Sequence, residues 1–492
     1  LTLIGESWSS RQRPALRGLA GAVSAAHPLA VAAGQEMLIA GGSAADAAIA
    51  AQAVLCVVAP DACGLGGDML ALVHRADGEI VAVNGTGAAP LAMTAATADG
   101  PNSITVPGIV DGWRALSEIG GRLPLERALA PALRIAQGGF PITARLAATV
   151  AAQRERMVRG GAAEWALMTL KPGERLVQPE LAGLLATIGR DGASAFYEGR
   201  FARMIAGAVG TLGGALSTAD LAAHRSDIRA PIATRFGAAT VAIQPPMTQG
   251  IILAMALAAL ERLGPVPEGL DDHVGIELTE AAFACRARAG EGEALLAQEL
   301  PIDFQRALHR GGPRAYLHTA GVATSDREGM IVSSLVSVFD DFGSCVFVPG
   351  CGIMLNNRAG GFTEPPNDAA PGKRPVHTLA PALVVTDAGA LALATPGADG
   401  QVQTLLQVIA AAFRGGADLA DAIGRPRWRS EGGLILIERG HTGVAQLERL
   451  GHRVKILTDG DVRFGAVVCA GHLDGAPFAI SDWRRETWSG VA

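Results

Sequence analysis

The chain has 492 residues, 49% hydrophobic and 18% charged, enough to bury a large core and to hold two or three domains by length alone. Its formal net charge is -6 and it has no basic run, which argues against a nucleic-acid partner. Its six cysteines (Cys56, Cys63, Cys285, Cys345, Cys351 and Cys469) form no CxxC pair. They read as buried free thiols of a reducing compartment rather than as zinc-ribbon or thioredoxin-type ligands.

Near the start, "LRGLAGAVSAAHPLAVAAG" could pass for a signal-peptide core, but His27 and Pro28 interrupt it and an Ala-rich helical pattern follows. It is read as mature structure, and the expected location is cytoplasmic, with a periplasmic one left open by the missing initial methionine. Residues 27–40 and 43–58 predict two helices, with Ser43 as N-cap of the second. The second is long and apolar, but Asp46 and Gln52 make it a buried helix rather than a membrane span.

"CGLGGDM" follows, then a strand at 69–74, the turn "RADGE" and a strand at 80–84. A dinucleotide fingerprint needs a strand before its glycines and a helix after them, in a GxGxxG register. Here the order is reversed and the register is GxGGD. The glycines therefore read as close backbone packing or as a cleft wall. "SITVPGIVDGW", residues 103–113, predicts a strand entering a Pro-Gly turn. Residues 124–260 alternate helical patterns with short strands, and 271–299 reads as helical.

Residues 305–318, "QRALHRGGPRAYLH", predict an exposed junction. After it comes a hairpin turning at "SDREG". Two strands, "PALVVTD" and "ALALATPG", then lead through a Gly-rich loop into a helix at 403–413. The tail is strand-rich, with "LILIE", "RVKIL" and "GAVVCAG".

Thr319 opens the first hairpin strand, and by itself is an ordinary strand starter. Its setting gives it a second reading, as a nucleophile exposed by self-cleavage. In that chemistry the hydroxyl attacks the preceding carbonyl, the ester hydrolyses, and the freed α-amine, with an ordinary pKa near 8, becomes the general base. Backbone N–H groups at "TPGADG", beside a helix N-terminus, suit an oxyanion.

Blocks along nearly the whole chain resemble the γ-glutamyltransferase family of N-terminal nucleophile hydrolases. They include "AAHPLAVAAGQEMLIAGGSAADAAIAAQ", "GLGGDMLALV", "QPPMTQGI", "SDREGMIVSS", "FGSCVFVPGCGIMLNNRAGGF", "GKRPVHTLAPALVV", "TPGADGQVQTLLQV" and "GRPRWR". The resemblance implies an α+β, four-layer αββα sandwich built jointly by a large portion, 1–318, and a small portion, 319–492. It implies cleavage between His318 and Thr319 and an acyl-enzyme at Thr319. Ser337 falls on a hydroxyl that bonds the nucleophile. Gly397 and Ala398 fall on the oxyanion-hole glycines, where a backbone donor survives the alanine if φ stays negative.

His377 and Thr378 fall on two serines that line the site. Thr86 stands where the family's transpeptidases have an Arg for the substrate carboxylate. Arg358 and Gly361, after Asn357, replace the Gln and Asp that hold the substrate amine, and Phe339 replaces an Asn. This pattern is closer to a divergent branch that includes acylases and small-amide hydrolases such as an oxamate amidohydrolase.

Arg358 is read as a carboxylate ligand or, alternatively, as a loop or ion-pair residue. Glu364 and Asp399 lie near the cleft blocks and could orient the site or cap helices. No cofactor and no metal are expected. The expected partners are a small-molecule amide, the protein's own two fragments and a second copy in a homodimer, with no nucleic acid and no membrane. An uncleaved family member with a binding role is the rival from another class, and a nucleotide-dependent enzyme is the second.

Overall fold

The computed structural model describes residues 13–312 and 319–492. His318, the residue before the expected cut, lies outside the described residues. Two seven-stranded sheets dominate. One runs, in spatial order, Trp488–Val491, Gly21–Ala25, Ala320–Asp326, Ile331–Ser337, Asp68–His74, Ile80–Gly85 and Asp227–Arg229. The other runs Leu16–Arg17, Ala476–Ser481, Val468–Leu473, Gly389–Ala394, Ala382–Thr386, Ala239–Ile243 and Ile232–Phe236. Neighbouring strands in both are antiparallel. Each sheet takes strands from both sides of Thr319.

Alternation along the strands sorts side chains between two cores. Leu70, Leu72, Ala323, Ile331 and Leu335 face the other sheet, where they meet Leu383, Ala392, Ala394, Val468 and Ala470. Their neighbours Met69, Ala71, Val322, Val332 and Val336 face the helices Pro28–Ile39 and Ala44–Val58. On the far side, Val241, Val384, Leu391 and Leu393 pack under the helices Gly250–Leu263, Asp271–Phe283 and Gly400–Phe413. The layers are therefore α, β, β and α. Small side chains let the sheets approach closely enough to bond directly. Ser333 Oγ donates to Leu393 O at 2.9 Å, Ser325 Oγ to Gly471 O at 2.8 Å and Ser24 Oγ to Ile480 O at 2.9 Å.

The helix Ala44–Val58 is buried along its whole length, and Ser43 and Asp46 close a capping box at its start. Its one amide is satisfied. Gln52 Nε2 donates to Ser334 Oγ at 2.9 Å, and Gln52 Oε1 accepts from Trp113 Nε1 at 2.8 Å. No helix among the described residues is long and apolar enough to cross a membrane. All six cysteines are buried and free.

Two expected elements differ. Residues 103–113 hold no strand: a 3-10 turn at Pro101–Ser103 leads into the helix Ile109–Gly120. The segment between runs beside residues 85–88, with Val106 N donating to Ala88 O at 3.0 Å, but Pro107 has no N–H to extend a ladder. The helix expected over 271–299 ends at Phe283 and gives way to 3-10 turns across Arg286–Ala297, broken at Gly292, where φ is 58°.

Candidate active site

The hairpin register decides what stands beside Thr319. Ala320 pairs with Val336, so one step back sets Thr319 opposite Ser337. Ser337 in turn pairs with Asp68 on the next strand. By alternation, Thr319, Ser337 and Asp68 all belong to the face between the sheets, in a row at its edge. All three are buried. On the facing sheet, Gly389–Ala394 ends at the same edge and continues as Thr395, Pro396, Gly397 and Ala398. Thr319 and Pro396 line one small cavity of about 50 Å³. The fold thus brings the candidate nucleophile, the Ser337 hydroxyl and the expected oxyanion loop together.

The loop is braced from both sides. Arg429 Nη1 donates to Gly397 O at 3.2 Å, and Gln249 Nε2 donates to Ala398 O at 2.8 Å. The helix Gly400–Phe413 begins directly after it, so its positive N-terminal end points at the loop. The negative φ on which the Ala398 donor was conditioned is not found: φ is +47°, a left-handed conformation that strains an alanine but keeps its backbone N–H. An L-residue there costs about 1–2 kcal/mol. Gln249 and the first helical turn, with Gln401 N donating to Ala398 O at 3.0 Å, hold it in place.

Asp68 organises a buried charge cluster that the sequence reading did not single out. Its Oδ2 accepts from Arg358 Nε at 3.0 Å and from His377 Nε2 at 3.2 Å. His377 Nδ1 accepts from the Leu379 N–H at 3.1 Å, which leaves the ring proton on Nε2 to face Asp68. Burial pushes the His377 pKa down to about 4, and the Arg358 charge adds to that, so the ring is neutral near pH 7. Burial alone would push the Asp68 carboxyl up, but the His377 hydrogen bond and the Arg358 charge outweigh it and hold the carboxyl below its ordinary value. Desolvation lowers the Arg358 pKa, with Asp68 opposing.

Arg358 is 1% exposed. Its Nη1 donates to Thr378 Oγ1 at 3.3 Å, the Phe339 ring stacks 4.4 Å from its guanidinium carbon, and its Nη2 has no hydrogen-bond partner among the described residues. Asn357 braces the loop: its Oδ1 accepts from Asp340 N at 3.1 Å and its Nδ2 donates to Ala98 O at 3.0 Å. The Thr86 hydroxyl donates to Asn84 Oδ1 at 2.7 Å. Asn357 and Thr86 line no cavity found beside Thr319 or Phe339.

The glycines before Asp68 serve close packing. A Cβ on Gly66 would lie 2.0 Å from Met354 O, and one on Gly67 would lie 2.4 Å from Ser337 O. They let "GLGGD" press against the hairpin that follows Thr319 and set Asp68 behind it.

A larger cleft of about 250 Å³ opens outside Phe339. Phe339, Gly360, Gly361, Arg286, Glu364 and Asp399 line it, and Gly312, just before the segment leading to Thr319, sits at its edge. Phe339 holds φ at 87°, a strained conformation for a bulky residue, and its N–H donates to Ser337 Oγ at 2.9 Å. One further cluster, His273, Glu277 and His452, has donor atoms close enough to hold a metal ion. Its members are already engaged: His273 Nδ1 lies 2.7 Å from His452 Nε2, and Glu277 accepts from Leu308 N and Arg310 Nη1.

The model of the Gamma-glutamyltranspeptidase family matches residues 30–491. The chain is 32% identical to the oxamate amidohydrolase proenzyme of Klebsiella pneumoniae, over 89% of this chain and 92% of that protein. It is also 32% identical to an acylase ACY 1 proenzyme from a Pseudomonas species, over 96% of each. Among solved structures, a cephalosporin acylase from Bacillus halodurans superposes with a TM-score of 0.90 at 27% identity, covering 100% of this chain and 99% of that one. With a buried threonine heading a central strand of a two-sheet sandwich, facing the loop expected to hold an oxyanion, the chain belongs to the γ-glutamyltranspeptidase family.

Proposed function

We propose that this protein cleaves itself before Thr319 and then hydrolyses a small carboxylate-bearing amide through an acyl-enzyme on the Thr319 hydroxyl. One observation carries the reading: the register that sets Thr319 against Ser337, on the face opposite the Gly397–Ala398 loop. After the cut, the Thr319 α-amine, with an ordinary pKa near 8, serves as the base for its own hydroxyl. Ser337 orients that hydroxyl. Backbone N–H groups of Gly397 and Ala398, at the N-terminal end of a helix, stabilise the tetrahedral oxyanion. Water takes the acyl group in the second half-reaction.

Family membership and relatives named as proenzymes of an oxamate amidohydrolase and an acylase support amide hydrolysis after maturation. A second reading, a two-carbon acid amide such as oxamate, is favoured by the partnerless Nη2 of Arg358, which lies beside Thr378 and behind Phe339. It requires the Phe339 ring to move aside. The test is Thr319→Ala, which is expected to stop both self-cleavage and amide turnover. A Thr319→Ala protein that still matured or still hydrolysed amides contradicts the assignment.

A further inference from the structure

We infer that the protein has a second ligand site, remote from Thr319, that takes a short zwitterionic peptide with apolar side chains. The inference is independent of the Thr319 reading. A cavity of about 700 Å³ opens where the end of the helix Gly250–Leu263, the start of Asp271–Phe283 and the last turns of Gly400–Phe413 come together. That size is ordinary for a small-molecule site. The cavity shares no lining residue with those beside Thr319 and Phe339. Ala410, in its wall, lies about 15 Å along its helix from Gly400, where the loop at Gly397–Ala398 ends.

Leu260, Val266, Leu406 and Trp428 give the cavity an apolar wall. Its charges fall into two groups. Asp271 and Asp272 stand in the first turn of their helix, while Arg414 and Arg425 follow the last turns of Gly400–Phe413 and Leu419–Gly424. No ion pair joins the two groups among the described residues.

Neither group is neutralised where it stands. Among the described residues the one ion-pair contact of Asp272 is His441, whose Nε2 lies 3.6 Å from Oδ1, beyond hydrogen-bond reach. Burial pushes the Asp272 carboxyl up, with His441 and the Trp428 indole opposing and Asp271 adding to the rise. The carboxylate therefore gains from an ammonium brought beside it. Arg414 spends one donor on Leu260 O at 2.8 Å, and Arg425 is exposed. Arg427, deeper in the wall, is already paired with Asp482 at 2.6 Å. Guanidinium groups with an open edge take a carboxylate. One apolar molecule with an ammonium and a carboxylate satisfies both groups. A single amino acid holds both charges on one carbon. An extended dipeptide spans about 7 Å and can bridge groups that do not reach each other.

The test is calorimetric titration with leucyl-phenylalanine, its N-acetyl form and its C-terminal amide. Wild type and Thr319→Ala are both expected to bind one dipeptide per chain with the same affinity. N-acetylation is expected to weaken binding about 10-fold in wild type and hardly at all in Asp272→Asn. Amidation is expected to do the same in wild type and hardly anything in the double variant Arg414→Gln/Arg425→Gln. Thermal melts check that each variant is folded, and the comparison of the three peptides on wild type stands without any variant. No binding up to about 1 mM dipeptide, an N-acetyl form that binds as well as the dipeptide, or binding that Asp272→Asn leaves unchanged overturns the inference. Binding found in wild type and lost in Thr319→Ala also overturns it, because the dipeptide then sits at Thr319.

Discussion

Asp68 is the residue on which the site's electrostatics turn. It is fully buried, ion-paired to Arg358 and hydrogen-bonded by His377, and it stands on the strand next to Ser337. Asp68→Ala leaves an uncompensated guanidinium in the core, and denaturant unfolding should show a loss of about 3–5 kcal/mol. A loss below 1 kcal/mol would mean that Arg358 reaches water in the folded protein. That Thr319, Ser337 and the loop at Gly397 would stand together was legible in the sequence, because ordered blocks run on both sides of each. Asp68 was not. It ends a glycine motif whose nearest reading is packing, and its partners lie 290 and 309 residues away in the chain. The strain at Ala398 was equally hidden, since a positive φ on alanine has no signal in the residue itself.

At the scale of elements, the site depends on how closely three strands approach. The hairpin Ala320–Asp326 and Ile331–Ser337 was legible because apolar alternation flanks the turn "SDREG". So was the buried helix Ala44–Val58, through Ser43 as its N-cap. The strand expected at residues 103–113 was not realised, because β-branched residues before Pro107 favour extended backbone without securing a partner strand. Gly67 tests the close approach. A methyl group there would press on Ser337 O at 2.4 Å and push Ser337 out of line with Thr319. Gly67→Ala should therefore slow self-cleavage, as followed by gel, as well as lower stability. Cleavage at the wild-type rate would show that the Ser337 strand tolerates displacement.

Across the whole molecule, the two sheets bury small side chains against each other and recruit strands from both sides of the expected cut. Two fragments produced by a cut before Thr319 are therefore expected to stay joined through the shared sheets. Acid sensitivity is also a property at this scale. His27, His224, His377 and His452 each have pKa values pushed down to about 4, chiefly by burial. A depressed histidine pKa means the unfolded chain binds protons first. Its stabilising effect is complete above about pH 6.5 and is lost as pH falls towards 4. For His377 alone that is roughly 3 kcal/mol. The lowered Asp68 pKa adds a further loss below pH 4. Urea unfolding should show lower stability at pH 5 than at pH 7.5, and His377→Gln should narrow the gap. A stability independent of pH over that range would contradict the neutral, buried histidines.

The central claim is that Thr319 becomes an N-terminal nucleophile. Intact mass spectrometry of the purified protein over time, with N-terminal sequencing of the smaller fragment, tests it most directly. The full chain is expected to convert into two fragments, the smaller beginning Thr319-Ala320-Gly321, with no conversion in Thr319→Ala. A chain that stays whole on prolonged incubation, or a new terminus at any other residue, would contradict it.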